Sequence, residues 1–427
     1  MNDTDDTGLP AREAAAQLLE AALVRRTGLD EAVSAPGFSR LQPRERAFAR
    51  ALTMAALRRL GTIDHLLEGK LRKPPPERVL TLLRLGAAQL FWLEVPDHAA
   101  VSTVVELAER DKATRPFKGL INAVLRGLSR QGPPADAPAT LAPPWLLARW
   151  RAAFGETTAL AIAGEIANEP GTDLSVRDPA DAAALAEALE GEVLAGGSVR
   201  TARRGDLAEW PGFSEGRWWV QDAAAAIPAR LLETKAGQTA LDLCAAPGGK
   251  TLQLAATGAE VVAVDRSAAR LKRVGENLER MGLAAEIVVA DAGDWADARS
   301  FEAVLLDAPC SATGTFRRHP DVLWAARPGD IASLAAVQSR LLDSAAGRVK
   351  PGGRLVYCVC ALEPEEGEAQ IRAFLARRPD FALDPVQPGE GGAPEASLAP
   401  EGWLRILPHH LPGGIDGFFI ARMIRTA

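Results

Sequence analysis

Cysteine, tyrosine and histidine are scarce in these 427 residues: four, one and five respectively. Four cysteines, all between positions 244 and 360, are too few and too clustered for a disulfide scaffold spread through loops. No C-x-x-C pair exists, and apart from His319 no histidine lies near a cysteine in sequence, so zinc is a poor reading. No run approaches the ~18 apolar residues of a spanning helix. Residues 1–7 are acidic and polar, unlike a secretory leader. No membrane association and a reducing cytoplasm are therefore expected. A net charge of −6 argues against a generally basic nucleic-acid coat, although residues 1–140 carry +3 and the remainder −9. What is present is ample: 47% apolar and 24% charged residues suit well-formed cores, and the length suits two or three domains.

The first 132 residues have helical periodicity throughout. Apolar stripes start near residue 9 and recur over 44–60, 78–92, 101–110 and 118–128, with Pro43, Pro74 to Pro76 and Pro96 at the joins. A bundle of five to six helices is expected. Its last part carries Lys112, Arg115, Lys118, Arg126 and Arg130, which composition alone reads as a solvated face before an RNA surface. Residues 133–144 form a Pro/Ala-rich linker. Residues 145–221 read as a small α+β segment, with strands expected at 173–177, 192–202 and 217–220. Its Trp210, Trp218 and Trp219 offer faces for base stacking, but such tryptophans more often pack inside. From 222 to 427 strands and helices alternate, the pattern of a doubly wound α/β domain. Residues 384–398 show little structure.

Residues 241–251, LDLCAAPGGKT, organise that last domain. A buried strand ends at Leu243, and Pro247, Gly248 and Gly249 break it sharply before a helix opens. Ligands of open parallel sheets bind outside such carboxyl ends, where glycine admits close backbone approach. Neither the G-x-G-x-x-G nor the Walker spacing is present, so this is not a dinucleotide or phosphate loop. Three further apolar strands end on Asp265, Asp291 and Asp307. Asp265 is placed to take two ribose hydroxyls. Four such tips describe one pocket for a nucleoside cofactor. Cys310 follows Asp307 in DAPCSATGT, and Cys360 ends the strand LVYCVC. Side chains alternate along a strand, so Cys358 and Cys360 share a face opposite Val359. Cys310 and Cys360 are the candidates for nucleophilic chemistry, with a redox pair as the alternative; Cys244 and Cys358 read as small buried apolar residues.

Taken in order, LDLCAAPGGKT, VDRS, LLDAPCSATGT, RRHPDVLW and GGRLVYCVCALEPEE resemble the RNA (cytosine-5)-methyltransferases, down to the closing DGFFIARMIR. The helical N-terminal region resembles a NusB-type RNA-binding domain, carried by the branch that acts on 16S ribosomal RNA. The resemblance implies a Rossmann-like class I methyltransferase sheet, S-adenosyl-L-methionine as methyl donor and a cytosine of 16S rRNA, free or in an assembly intermediate, as acceptor. It implies that Cys244, Ala245, Ala246, Pro247, Gly248, Gly249 and Lys250 wrap the cofactor, together with Asp265, Arg270, Asp291 and Asp307. Cys360 corresponds to the nucleophile, Cys310 to the thiol that aids release, and Asp307 and Lys250 to supporting catalytic groups. Arg317, Arg318 and His319 are expected on the RNA backbone. Val359 and Ala361 flank Cys360 where the family usually has hydroxyl residues, and Cys358 stands where it has Ser or Ala. A monomer without metal is expected.

Overall fold

Prolines divide the first third of the chain, and helices fill the intervals between them. The computed structural model describes residues 8–135 and 137–426. The acidic residues 1–7, from which the lack of a leader was inferred, lie outside them. Helices Leu9–Glu20, Pro43–Arg58, Glu77–Trp92, Asp97–Arg110 and Lys118–Gln131 enclose a core that includes Leu19, Leu52, Leu57, Leu83 and Leu125. Pro43 occupies the first turn of its helix, where the missing N–H has no cost. Gly86 lets two helices approach closely: a Cβ there would meet the Leu125 methyls at 2.6 Å. The periodicity over 44–60 merges two elements, because the chain leaves helical geometry at Arg59 (φ −111°, ψ 12°) before Leu60–Glu68 begins.

The chain forms two compact units. The first holds residues up to Glu169 together with Phe316–Ala326. Helices Pro144–Phe154 and Glu156–Gly164 thus group with the bundle, and packing does not break at residue 145. The stretch read as a linker contains the short helix Pro138–Leu141, with Leu141 buried. Arg58 explains part of this grouping. Its guanidinium donates to the carbonyls of Asn168 at 3.0 Å and Arg317 at 2.6 Å. Trp150 and Phe316, both buried, place their rings 6.1 Å apart.

The second unit, Pro170–Thr315 with Arg327–Ala427, contains two sheets. In the smaller, β1 (Thr172–Val176), β2 (Glu192–Val193), β3 (Val199–Thr201) and β4 (Trp218–Val220) run in the order β2-β3-β1-β4. The strand expected over 192–202 is two pieces, interrupted where Gly196 and Gly197 take φ of 80° and 85°. Trp210, Trp218 and Trp219 are all buried, so they pack and offer no stacking face.

The larger sheet comprises β5 (Thr239–Leu243), β6 (Glu260–Asp265), β7 (Glu286–Val289), β8 (Phe301–Asp307), β9 (Val349–Val359), β10 (Phe381–Leu383), β11 (Leu404–Ile406) and β12 (Phe418–Arg425). Its order is β10-β12-β9-β8-β5-β6-β7, with β11 also on β12. The five strands from β9 to β7 are parallel, and β12 returns antiparallel beside β9. From β5 the chain steps one way through β6 and β7, then crosses to β8 and β9. The switch point therefore lies between β5 and β8, where an open α/β sheet leaves its ligand crevice. Ala223–Leu231, Gly249–Ala256 and Ala268–Met281 cover one face; Pro328–Ala346 and Glu368–Arg377 cover the other. The residues read as unstructured, 384–398, form turns tied down by Arg422, which meets Asp384 at 2.9 Å and also pairs with Glu390. The three-residue strands β10 and β11 are too short to have registered as sequence patterns. Among the described residues no helix is long and apolar enough to cross a membrane.

Candidate active site at the carboxyl ends of β5, β8 and β9

The loop leaving β5 turns at once. Cys244 takes φ 64°, and Ala245 donates its N–H to Val264 of β6 at 3.1 Å. The Ala246–Pro247 peptide bond is cis. Gly248 has φ 106°, and a Cβ there would press on the Val274 methyls at 3.1 Å. Glycine therefore supplies both the left-handed turn and the room for the helix Ala268–Met281. Asp265, buried at the tip of β6, accepts the N–H of Ala246 at 3.1 Å and that of Ser267 at 2.9 Å. Arg270 bonds the Ala246 carbonyl and lies 3.8 Å from Asp265. Each Asp265 oxygen retains a lone pair for a further donor. Asp291, past the end of β7, accepts the Gly293 N–H at 2.8 Å and lies 3.3 Å from Arg340. It shares no hydrogen bond with the β5 loop. The strand before it lies at the edge of the sheet, with Ile287 and Val289 exposed.

Lys250, in the first turn of the helix Gly249–Ala256, is buried and meets Asp307 at 2.7 Å. Burial alone would favour its neutral form, but Asp307 reverses the balance and holds the ammonium above its usual range. The other Asp307 oxygen receives the Cys358 thiol at 3.4 Å. Burial and then Asp307 push that thiol well up, so it stays protonated. Cys244 is pushed up to about 12 by burial and by the nearby carboxylates, Asp307 first. Below the loop, the buried Asp242 accepts the Thr251 hydroxyl at 2.6 Å, and burial raises its carboxyl to about 7.

β8 and β9 are neighbours, and their ends bring the two candidate thiols together. Cys310 Sγ lies 3.4 Å from Cys360 Sγ, and both residues are half-buried. The contact with Cys360 and burial push the Cys310 thiol well up, and Glu366 adds to the effect. The loop that carries Cys310 is pinned: Ala308 donates to the Cys358 carbonyl at 3.0 Å, and Gly314 to that of Cys360 at 2.9 Å. Gly314 in turn accepts the Gly417 N–H at 2.8 Å, just before β12.

Some of the machinery here was not anticipated. Glu363 and Glu366, both buried, take up the Ser311 and Thr313 hydroxyls, and Gln338 reaches Glu366 at 2.8 Å. The available signal was two acids three residues apart directly after a buried strand. Arg317, in contrast, was assigned to RNA and is buried in the first unit. It is a packing residue, its carbonyl held by Arg58.

Two family models match the chain: "16S rRNA methyltransferase RsmB/F" over residues 229–424 and "NusB family" over residues 9–130. A ribosomal RNA small subunit methyltransferase B of Pseudomonas putida is 38% identical over 447 residues, covering 97% of this chain and 98% of that protein. The chain belongs to the RsmB/F methyltransferase family. The Vibrio cholerae protein of the same name is 38% identical over 378 residues, or 82% of this chain and 86% of that one. A solved methyltransferase homolog from Pyrococcus horikoshii superposes with a TM-score of 0.54 at 26% identity, over 65% of this chain and 93% of its own. As an RsmB/F member with a NusB-like region, the chain is a methyltransferase with a Rossmann-like sheet.

Proposed function

We propose that this RsmB/F member transfers a methyl group from S-adenosyl-L-methionine to C5 of a cytosine in 16S ribosomal RNA. The observation that carries this reading is the pair of sulfurs 3.4 Å apart beyond the ends of β8 and β9, next to the sheet's switch point. The β5 loop suits the cofactor. Gly248 supplies the left-handed turn of the loop, and Asp265 is oriented by two backbone N–H groups with capacity left for ribose hydroxyls. Ala245 to Gly249 would line the methionine side, Arg270 and Asp265 the ribose, and Asp291 the adenine end. The bound cofactor supplies an electrophilic methyl group on its sulfonium.

The chain's own residues do the rest. Cytosine C5 is too weak a nucleophile unaided. Addition of the Cys360 thiolate to C6 forms an S–C6 bond and moves an electron pair into the ring, so that C5 can take the methyl. Negative charge then gathers at the N3 side, where the Lys250 ammonium is the compensating group and Asp307, the candidate neighbour of N3, holds that ammonium in place. Cys310 keeps its proton at rest. On release that proton passes to the departing Cys360 sulfur and the thiolate left on Cys310 takes the C5 proton, while the C5–C6 double bond re-forms and the S–C6 bond breaks. The base must leave its stack, which favours a looped or unpaired site. The exposed Lys112, Arg115, Lys118, Arg126 and Arg130 of the helical unit are the residues assigned to the rRNA backbone.

The test combines labelled cofactor with small-subunit rRNA from a strain lacking the enzyme. Wild type should yield 5-methylcytosine and release tritium from C5-labelled cytosine. Cys360→Ala should lose both turnover and adduct, while Cys310→Ala should accumulate a protein–RNA adduct. Methylation without tritium release would sink the C5 assignment, and absence of the adduct would remove the role of Cys310.

A further inference from the structure

Beneath Cys310 lies a cluster of five polar side chains. Thr313 Oγ1 and Ser311 Oγ both meet Glu363 Oε2, the latter at 3.1 Å, and Ser311 Oγ also meets Glu366 Oε1. Glu366 Oε2 accepts the Ser311 N–H at 2.9 Å and the Gln338 amide at 2.8 Å. The same Gln338 amide donates to the Pro309 carbonyl at 3.0 Å. Residues 309 and 311, on either side of Cys310, are therefore held by one carboxyl and one amide. The Tyr357 hydroxyl donates to the Glu366 carbonyl at 2.6 Å, which fixes the acid's own backbone.

Protons in this cluster can be counted. Three oxygen–oxygen contacts join an acid to a hydroxyl, and each requires one hydrogen; the two hydroxyl oxygens also lie 3.5 Å apart, too far to claim one. Ser311 and Thr313 supply only two. Thr313 directs its hydrogen to Glu363 Oε2, and its oxygen takes the Leu362 N–H at 3.0 Å. The third hydrogen must belong to a carboxyl. Glu363 Oε2 is approached by two hydroxyls and acts as the acceptor. Glu366 Oε1 has Ser311 Oγ alone and is the atom placed to donate.

We propose that Glu366 is a positioning residue for Cys310, and that it works as a neutral acid, donating to Ser311 Oγ while its other oxygen holds the Cys310 turn. Burial, and Glu363 beside it, raise the Glu366 carboxyl, in keeping with that proton. A single shared charge lets two buried acids stand under the thiol; two full charges would repel one another and the site. The proposal deepens the methyltransferase reading, on which the use of Cys310 rests, but its geometry is testable without methyl transfer.

Glutamine reproduces a protonated glutamic acid: one donor towards Ser311, one acceptor towards the Ser311 N–H and Gln338. Three full-length variants decide the matter: Glu366→Gln, Glu363→Gln and Glu366→Ala. Proximity of the thiols is read by treating each protein with oxidised glutathione, which is reduced to two glutathiones as the Cys310 and Cys360 thiols join. Mass spectrometry then measures the rate at which that disulfide forms. Glu366→Gln should match wild type in this rate and in thermal midpoint. Glu363→Gln and Glu366→Ala should lose at least about tenfold in rate or melt well below it. The reverse order, with Glu363→Gln normal and Glu366→Gln impaired, puts the proton on the wrong acid and overturns the assignment. Equal impairment of both Gln variants, or of neither, removes the shared proton. Adduct accumulation on rRNA is measured alongside. If wild type shows rapid disulfide closure but Cys310→Ala shows no adduct, the methylation chemistry fails while the positioning result stands.

Discussion

Asp307 and Glu366 are both carboxyl groups close to the thiol pair, yet they are stabilised in different ways. Asp307 faces a buried ammonium, with Lys250 at 2.7 Å on one oxygen and the Cys358 thiol on the other. Glu366 has no cation within its cluster and is satisfied by hydroxyl, amide and backbone N–H groups. The first arrangement leaves a strong local field next to the crevice. The second holds a loop in place without one. The proposed chemistry, which compensates charge on a base and keeps a thiol protonated, uses both kinds.

The largest break in this comparison should come from Lys250→Met. It strands Asp307 without its counter-ion and removes the compensation for the ring. We expect methyl transfer to fall by ~10²–10⁴-fold, with a lower thermal midpoint. Adding Asp307→Asn should recover part of the midpoint and none of the activity. Equal melting of the single and double variants would show that the pair is not coupled. A smaller loss should follow from Gly314→Ala. Its Cβ would meet the Gly417 carbonyl oxygen at 2.1 Å, so the Cys310 loop and the start of β12 must separate. We expect about 2–4 kcal/mol of destabilisation in urea and slower disulfide closure between Cys310 and Cys360. Unchanged closure would mean that the loop does not depend on this contact.

These differences also explain what could be read from the residues alone. Asp265, Asp291 and Asp307 each terminate an apolar run, and Gly248 interrupts a strand–helix junction, so local pattern reveals them. Cys310 and Cys360 were legible for the same reason. The Glu366 cluster was not, because Ser311 lies 55 residues from Glu366 and Gln338 lies 28 away. Such hydrogen bonds have no periodic trace. Arg317 failed in the opposite sense. A basic R-R-H run looks like a nucleic-acid contact, but Arg58, 259 residues away, captures its carbonyl and it packs inside. The tryptophans of the small sheet followed the commoner rule that large aromatic groups fill cores.

Asp242 sharpens the contrast between charged and neutral acids with the smallest expected effect. It is fully buried in β5 behind Lys250, accepts the Thr251 hydroxyl, and its carboxyl is raised to about 7, chiefly by burial. An unfolded aspartate ionises near ~3.9. Between that value and about 7 the folded chain holds a proton that the unfolded chain has released, so stability falls as pH rises through this window and is level outside it. Asparagine keeps an oxygen for Thr251 and has nothing to ionise. Asp242→Asn should therefore match wild type near pH 4 and exceed its stability at pH 8 by on the order of 2 kcal/mol. Urea denaturation at the two pH values measures the difference. An advantage that is the same at both would mean that the Asp242 carboxyl is not raised in the folded chain, unlike that of Glu366.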